Sequence, residues 1–131
     1  MSDLILPNES YQIMGACFEV YKRMGCGFTE AIYQECLQIE FDFREIPFQS
    51  QAHQILQYRE KILLNHFVPD FICFGQIIVE IKAVSKIIDD FRCKAINYLN
   101  ATKLELALIV NFGHSPKLEY ERFALTQKKA F

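Results

Sequence analysis

A chain of 131 residues, 51% hydrophobic and with twelve phenylalanines, is long enough to bury a real core and too apolar to stay disordered. No apolar run reaches membrane-spanning length, because Pro69-Asp70 and Glu80 interrupt the best candidate, so no membrane partner is expected. A net charge of −2 and a pI near 5.9 argue against generic, charge-driven binding of nucleic acid, yet leave room for a basic patch beside acidic residues.

The opening MSDLILPNES carries no basic region, long apolar core or cleavage site, so it is not read as a signal peptide. Five cysteines (17, 26, 36, 73 and 93) are odd in number and fall mostly at apolar-periodic positions. They predict buried free thiols in a reducing compartment, hence a cytoplasmic protein. No linker or repeat divides the chain, and residues 1–131 are expected to form one domain.

Residues 1–7 read as an irregular lead-in, with Asn8 as N-cap of a helix on which Ile13, Cys17, Val20 and Met24 recur at helical spacing. Gly25-Cys26-Gly27 ends it. Thr29 caps a second helix running to about Glu45, with Ile32, Tyr33, Cys36, Leu37 and Phe41 as its apolar side. Glu30 stands in its first turn, three and seven residues before Tyr33 and Leu37, so it is expected to point along the buried face. Taken alone, it reads as an acid complementing the helix dipole.

Ile46-Pro47 closes that helix. Gln51 to Tyr58 reads as a strand, Arg59-Glu60-Lys61 as a turn, and Ile62 to Phe67 as the lead into a hairpin over Val68–Ala83. Beyond Ser85–Asp90, a helix packs through Ile88, Phe91, Ala95 and Leu99 and ends near Ala101. Leu104 to Asn111 is a buried strand closed by Gly113, Leu118 to Leu125 is an edge strand, and the TQKKAF tail frays. The order α-α-β-β-β-α-β-β gives an α/β domain with a mixed sheet flanked by helices.

The hairpin carries the chemistry. In IIVEIKA, Ile77, Val79, Ile81 and Ala83 share one face, and Ile78, Glu80 and Lys82 the other. Isoleucines on both faces mark an inner strand. Charges on such a strand are costly unless paired or bound to an ion. A structural ion pair between Lys82 and a carboxylate is the plain explanation. In the alternative, Asp70 and Glu80 supply hard oxygens for Mg²⁺, with Mn²⁺ also possible, and Lys82 orients a water against a phosphodiester. Parity sets a condition. A two-residue turn at Gly75-Gln76 would put Asp70 opposite Ile81, on the wrong face. An odd-length loop, most simply Phe74-Gly75-Gln76, puts it opposite Glu80 and is therefore expected, or else a bulge that shifts the register by one.

Other chemistries find less support. His53, His66 and His114 lie far apart without metal-ligand spacing, which argues against zinc, and the cysteines have no visible histidine partner. No P-loop, GxGxxG or GxSxG is present.

Gly27-Phe28-Thr29-Glu30-Ala31-Ile32-Tyr33 resembles the motif that names the GxxExxY proteins. DFICFGQIIVEIKA and INYLNATKLELALIVNFG, at 96–113, follow in that family's order over residues 10–125. The family is similar to the PD-(D/E)xK nuclease superfamily. The resemblance implies a restriction-endonuclease-like αβββαβ core with an extra N-terminal helix, Asp70, Glu80 and Lys82 as signature, and Glu30 as a third acid at the metal. One position departs: Lys94 stands where the family commonly has a glutamine, and a lysine supplies only the donor half of an amide's role. The implied activity is Mg²⁺-dependent phosphodiester hydrolysis, in DNA, through Glu30, Asp70, Glu80, Lys82 and Lys94. The alternative is a nuclease-fold module that binds nucleic acid or a partner without turnover. A homodimer would suit one site per chain and two strands to cut.

Overall fold

The computed structural model describes residues 5–125; the first residues of the lead-in and the tail expected to fray lie outside the described residues. Helix α1 spans Pro7–Met24. It starts one residue before the expected Asn8 cap, because Leu6 is the N-cap and Pro7 opens the first turn, where a missing N–H costs nothing. Ile13, Cys17 and Val20 are buried as their spacing requires, and Gly25 ends the helix at φ 78°, a conformation glycine adopts without strain.

Helix α2 spans Glu30–Phe43 behind an extended Thr29, and buries Tyr33, Leu37 and Phe41. Ile32 and Glu30 are both exposed, so Glu30 does not lie along the buried face as its spacing suggested. The helix stops two residues short of Glu45, with Arg44 as C-cap, Glu45 at φ 58° and the Ile46 N–H closing on the Phe41 carbonyl at 2.9 Å.

The strand region differs most from expectation. A short strand β1, Phe48–Ser50, precedes β2, Gln54–Tyr58, and β3, Lys61–Phe67. Then come β4, Phe71–Cys73, β5, Ile77–Lys82, helix α3, Asp89–Thr102, β6, Leu106–Asn111, and β7, Glu119–Ala124. The main sheet has the order β1-β4-β5-β6-β7, and β2-β3 is a separate two-stranded ribbon. Its apolar alternation resembles that of a core strand, yet most of its side chains are exposed.

Among the described strands of the main sheet, β5 and β6 are parallel, joined through α3, and the other neighbours are antiparallel. The series α2, β1, β4, β5, α3, β6 is the expected αβββαβ core, with α1 added before it and the ribbon inserted between β1 and β4. Strand β5 is central, as the isoleucines on both its faces require. Ile77, Val79 and Ile81 pack with α1 and α2, and Ile78 packs with α3 through Ala95 and Leu99. Ile88, expected on the packed side of α3, is instead its N-cap and exposed.

All five cysteines are free, but only Cys17 and Cys73 are buried; Cys26 and Cys93 are exposed. Burial pushes the Cys73 thiol up to about 12, so it stays protonated and packs as a small apolar group. No helix among the described residues is long and apolar enough to cross a membrane.

Candidate active site

The loop Phe74-Gly75-Gln76 has three residues: Cys73 pairs with Ile77 and Phe71 with Val79, so the next position sets Asp70 beside Glu80. Phe74 and Gly75 both take positive φ, 56° and 67°, and the Gln76 N–H closes on the Cys73 carbonyl at 3.1 Å. This register places Asp70 on the sheet face of Ile72, Ile78, Glu80 and Lys82, beneath α3.

The two carboxylates are locked by exchange of backbone bonds. The Asp70 N–H donates to Glu80 Oε2 at 2.8 Å, and the Ile81 N–H donates to Asp70 Oδ2 at 2.7 Å. The remaining oxygens, Asp70 Oδ1 and Glu80 Oε1, take part in no hydrogen bond or ion pair among the described residues. The Asp70 carbonyl in turn accepts from the Gln51 N–H at 3.0 Å and from Gln34 Nε2 at 3.2 Å. Gln34 and Gln38, one helical turn apart on α2, both donate to Ser50 Oγ, at 3.0 and 2.7 Å. Thus α2 holds β1 and the entry to β4 in place.

Glu80 is 5% exposed. Burial first, and then the charge of Asp70, push its carboxyl up to about 7, against the Asp70 N–H and the lysines Lys94 and Lys82, which favour the anion. Asp70 is also raised, by burial and by Glu30, while the Ile81 N–H, Lys82 and Lys94 pull it down. Glu30 is therefore near enough to act on Asp70, from an exposed position at the start of α2, and no hydrogen bond joins it to the pair.

No ion pair within 4.0 Å ties Lys82 to either acid. Its ammonium lies 4.3 Å from the ring centroid of Phe91 on α3, which holds a cation without cancelling its charge. The plain ion-pair explanation of Lys82 is therefore not what the structure shows. Lys94 Nζ lies 5.6 Å from the Tyr98 ring centroid. Burial pulls the Lys94 ammonium down, but Tyr98, Glu80 and Asp70 outweigh it and the net shift is upward, so Lys94 stays charged.

Phe91, Lys94 and Tyr98 form one stripe of α3 above the acids, and Tyr98 stacks on Phe67, at the base of the ribbon, at 4.4 Å. Phe91 was legible in sequence only as packing, and Tyr98 only as part of the run that carries the family resemblance. Arg92 anchors α3 to β7, with Nε and Nη2 each 2.8 Å from the Glu121 carboxylate. Buried Asn111, paired in register with Lys82, accepts from the Val84 and Gly113 N–H groups at 3.0 and 3.1 Å, which fixes the chain as it leaves β5.

Two hard carboxylate oxygens left unbonded, on one face and flanked by uncancelled lysines, suit a divalent cation that keeps most of its waters. Asp70 and Glu80 are the pair that fits. The described residues contain no group of three or more His, Cys, Asp or Glu side chains arranged to hold a metal. His53 and His66, far apart in sequence, do meet across the ribbon, Nδ1 to Nδ1 at 2.6 Å, and among the described residues no group of three metal-ligating side chains includes them.

The family model of the PD-(D/E)XK nuclease superfamily matches residues 7–123, and the chain belongs to that superfamily. Among solved structures it is similar to the crystal structure of SSO0001, at 13% sequence identity and a TM-score of 0.58. That match covers 72% of this chain and 50% of the other, so the chain spans about half the length of that protein, and the likeness is one of fold. No curated protein sequence matches the chain.

Proposed function

We propose that this chain is a nuclease, one catalytic domain that hydrolyses phosphodiester bonds in DNA with Mg²⁺, or Mn²⁺, held by Asp70 and Glu80. The observation that supports this reading most is the exchange of backbone bonds between Asp70 and Glu80. It presents one unbonded oxygen from each, on the face that also carries Lys82. Bound there, the cation supplies Lewis-acid polarisation and a more acidic water.

The chain's own residues do the rest. Lys82, held over Phe91 and in no ion pair with either acid, donates hydrogen bonds to the attacking water or to a phosphate oxygen. Lys94 offers a second cation to the phosphate from α3. Glu30, exposed at the start of α2 and close enough to raise Asp70, would be a third acid toward the cation. Gln34 keeps the Asp70 backbone in register. The acidic overall charge is compatible with this, because the phosphate meets two lysines locally rather than a basic surface.

Binding without turnover is the second reading. It is favoured by the lack of a three-ligand acidic group among the described residues and by Lys94, which adds charge where a glutamine would be neutral. Calorimetry and cleavage separate the two. The nuclease reading expects one divalent-ion site, lost in Asp70→Ala and in Glu80→Ala, together with metal-dependent cutting of DNA. Unchanged ion binding in both variants removes the metal site, whereas ion binding without cleavage leaves the second reading.

A further inference from the structure

On the sheet face opposite Asp70 and Glu80, a cleft of about 750 Å³ opens between α1 and the β6-β7 edge, with the chain leaving α2 as a further wall. Met14, Ile46 and Leu108, all buried in the core on that face, line its depth. Tyr11, Phe18 and Tyr120 line it from positions 81%, 45% and 46% exposed, and Phe18 meets Tyr120 edge-on at 5.9 Å. A concave site of this size, mostly apolar with a few polar groups, has the form of a small-molecule site. Gly15 stands midway along α1, where glycine is disfavoured. A Cβ there would come 3.1 Å from Arg44 Nη1, so the glycine lets that guanidinium lie against the helix.

Besides the tyrosine hydroxyls, the polar lining is Ser10, Gln12, Arg44 and Arg122, and among the described residues no carboxylate belongs to it. Arg44 already donates to Glu40 at 2.7 Å and lies 4.0 Å from Glu19, so acids answer its charge. Arg122 has no such partner. It pairs with Leu108 across β6-β7 and shares the cleft face, while Glu119 and Glu121 turn to the other face, where Glu121 meets Arg92. The Arg122 guanidinium donates to Ser10 Oγ at 3.3 Å and to the Ile5 carbonyl at 2.8 Å, both neutral, and forms no ion pair among the described residues. We infer that the cleft binds a small amphipathic carboxylate, its head on Arg122 and its apolar body along Met14, Phe18 and Tyr120. One unanswered cation suits a single charge rather than a polyphosphate, and Gln12 is the one amide in the lining to read a base, which tells against a nucleotide. The site stands whether or not the chain cuts DNA, because the sheet separates it from the acids.

Titration calorimetry of the full chain with octanoate, octan-1-ol and butyrate tests this, and amide shifts in the NMR spectrum locate the binding. The wild type is expected to take one octanoate with a Kd of about 100 µM or tighter, and to bind octan-1-ol and butyrate about tenfold more weakly. Arg122→Gln keeps an N–H donor but loses the charge. It should weaken octanoate about tenfold and leave octan-1-ol unchanged, and Arg122→Lys should recover most of that loss. Phe18→Asp, in the apolar wall, should weaken octanoate and octan-1-ol alike by about tenfold. Leu64→Ser, at a 97% exposed position on the ribbon, should weaken neither. Should Arg122→Gln fail to fold by circular dichroism, the wild-type comparison of octanoate with octan-1-ol decides. Absence of saturable octanoate binding up to about 5 mM overturns the inference, since that is far weaker than a fitted site of this size allows. So does octan-1-ol binding as tightly as octanoate, a folded Arg122→Gln that binds octanoate unchanged, a loss on Leu64→Ser, or shifts centred away from Tyr11, Phe18 and Tyr120.

Discussion

Replacing Glu80 with glutamine should make the metal-free protein more stable, and the gain should depend on pH in a definite way. Glu80 is 5% exposed, and its carboxyl rises from an ordinary 4.5 to about 7 on folding, chiefly through burial and then through the charge of Asp70. An acid whose pKa is higher when folded binds its proton more readily in the native chain. It therefore costs no stability below the unfolded value, and stability is progressively lost as pH rises from about 4.5 to about 7. The shift amounts to about 3 kcal/mol of destabilisation at pH 8 and less than about 1 kcal/mol at pH 5.

Glutamine keeps a carbonyl oxygen to accept the Asp70 N–H, so the bond at 2.8 Å survives and only the charge is lost. Urea denaturation of both proteins in a chelator, at pH 5 and pH 8, measures the difference. The variant should lead by about 3 kcal/mol at pH 8, and most of that lead should vanish at pH 5. Adding Mg²⁺ at pH 8 should stabilise the wild type and not the variant. Equal stabilities at pH 8, or a gap that does not shrink on acidification, would refute the account of Glu80 as a charge held in the interior for an ion.

Lys82→Ala should lower turnover by about 10²–10³, the loss seen when an electrostatic stabiliser is removed, with little change in metal affinity by calorimetry. A parallel loss of metal binding would mean that Lys82 acts on the fold of the site instead. Lys94→Gln installs the residue common at this place in the family the chain resembles and keeps a donor for the phosphate, so it should preserve or raise the rate of DNA cleavage; a large loss would show that the lysine's charge has its own catalytic task. Gly113→Ala should destabilise the protein by about 1–3 kcal/mol in urea, from overpacking. A Cβ there would lie 2.4 Å from the Val84 nitrogen and 2.6 Å from the Ala83 carbonyl carbon, both backbone atoms. A variant as stable as the wild type would show that the loop after β5 moves freely.

The sequence announced the central strand because period-2 alternation survives wherever both faces are buried. Ile77 to Lys82 could be divided between two faces by parity alone, and the cores under α1/α2 and under α3 follow that division. The loop was legible for the same reason: an odd count or a bulge was needed to bring Asp70 to the face of Glu80, and the chain uses the odd count. The ribbon was not. Ile55, Ile62 and Leu64 carry the residues of a sheet strand, and nothing in a run of apolar side chains states what will cover them. Strand β1, three residues long, is too short for any period to show, and depends on pairing with β4 across 20 or more residues.

The site divides along the same line between what is local and what is remote. Asp70, just before β4, and Glu80 and Lys82 on β5 belong to two strands' worth of chain joined by a short loop, so their meeting is a local fact that spacing encodes. Glu30 belongs to a different element, and helical periodicity alone sent it toward the core. In the first turn of α2 the chain has barely entered the packed region, and the side chain stays at the surface, near enough to raise Asp70. Gln34 and Gln38 were detectable only as two amides at i and i+4, a pattern that normally faces water. They are functional here because Ser50 and the Asp70 carbonyl lie beneath them. That contact joins residues 36 apart in the chain, and the cost of closing such a loop is offset only once β1 pairs with β4. The carboxylates are therefore held by a framework that exists only after the sheet does, which is why the acids could be read from their spacing and their supports could not.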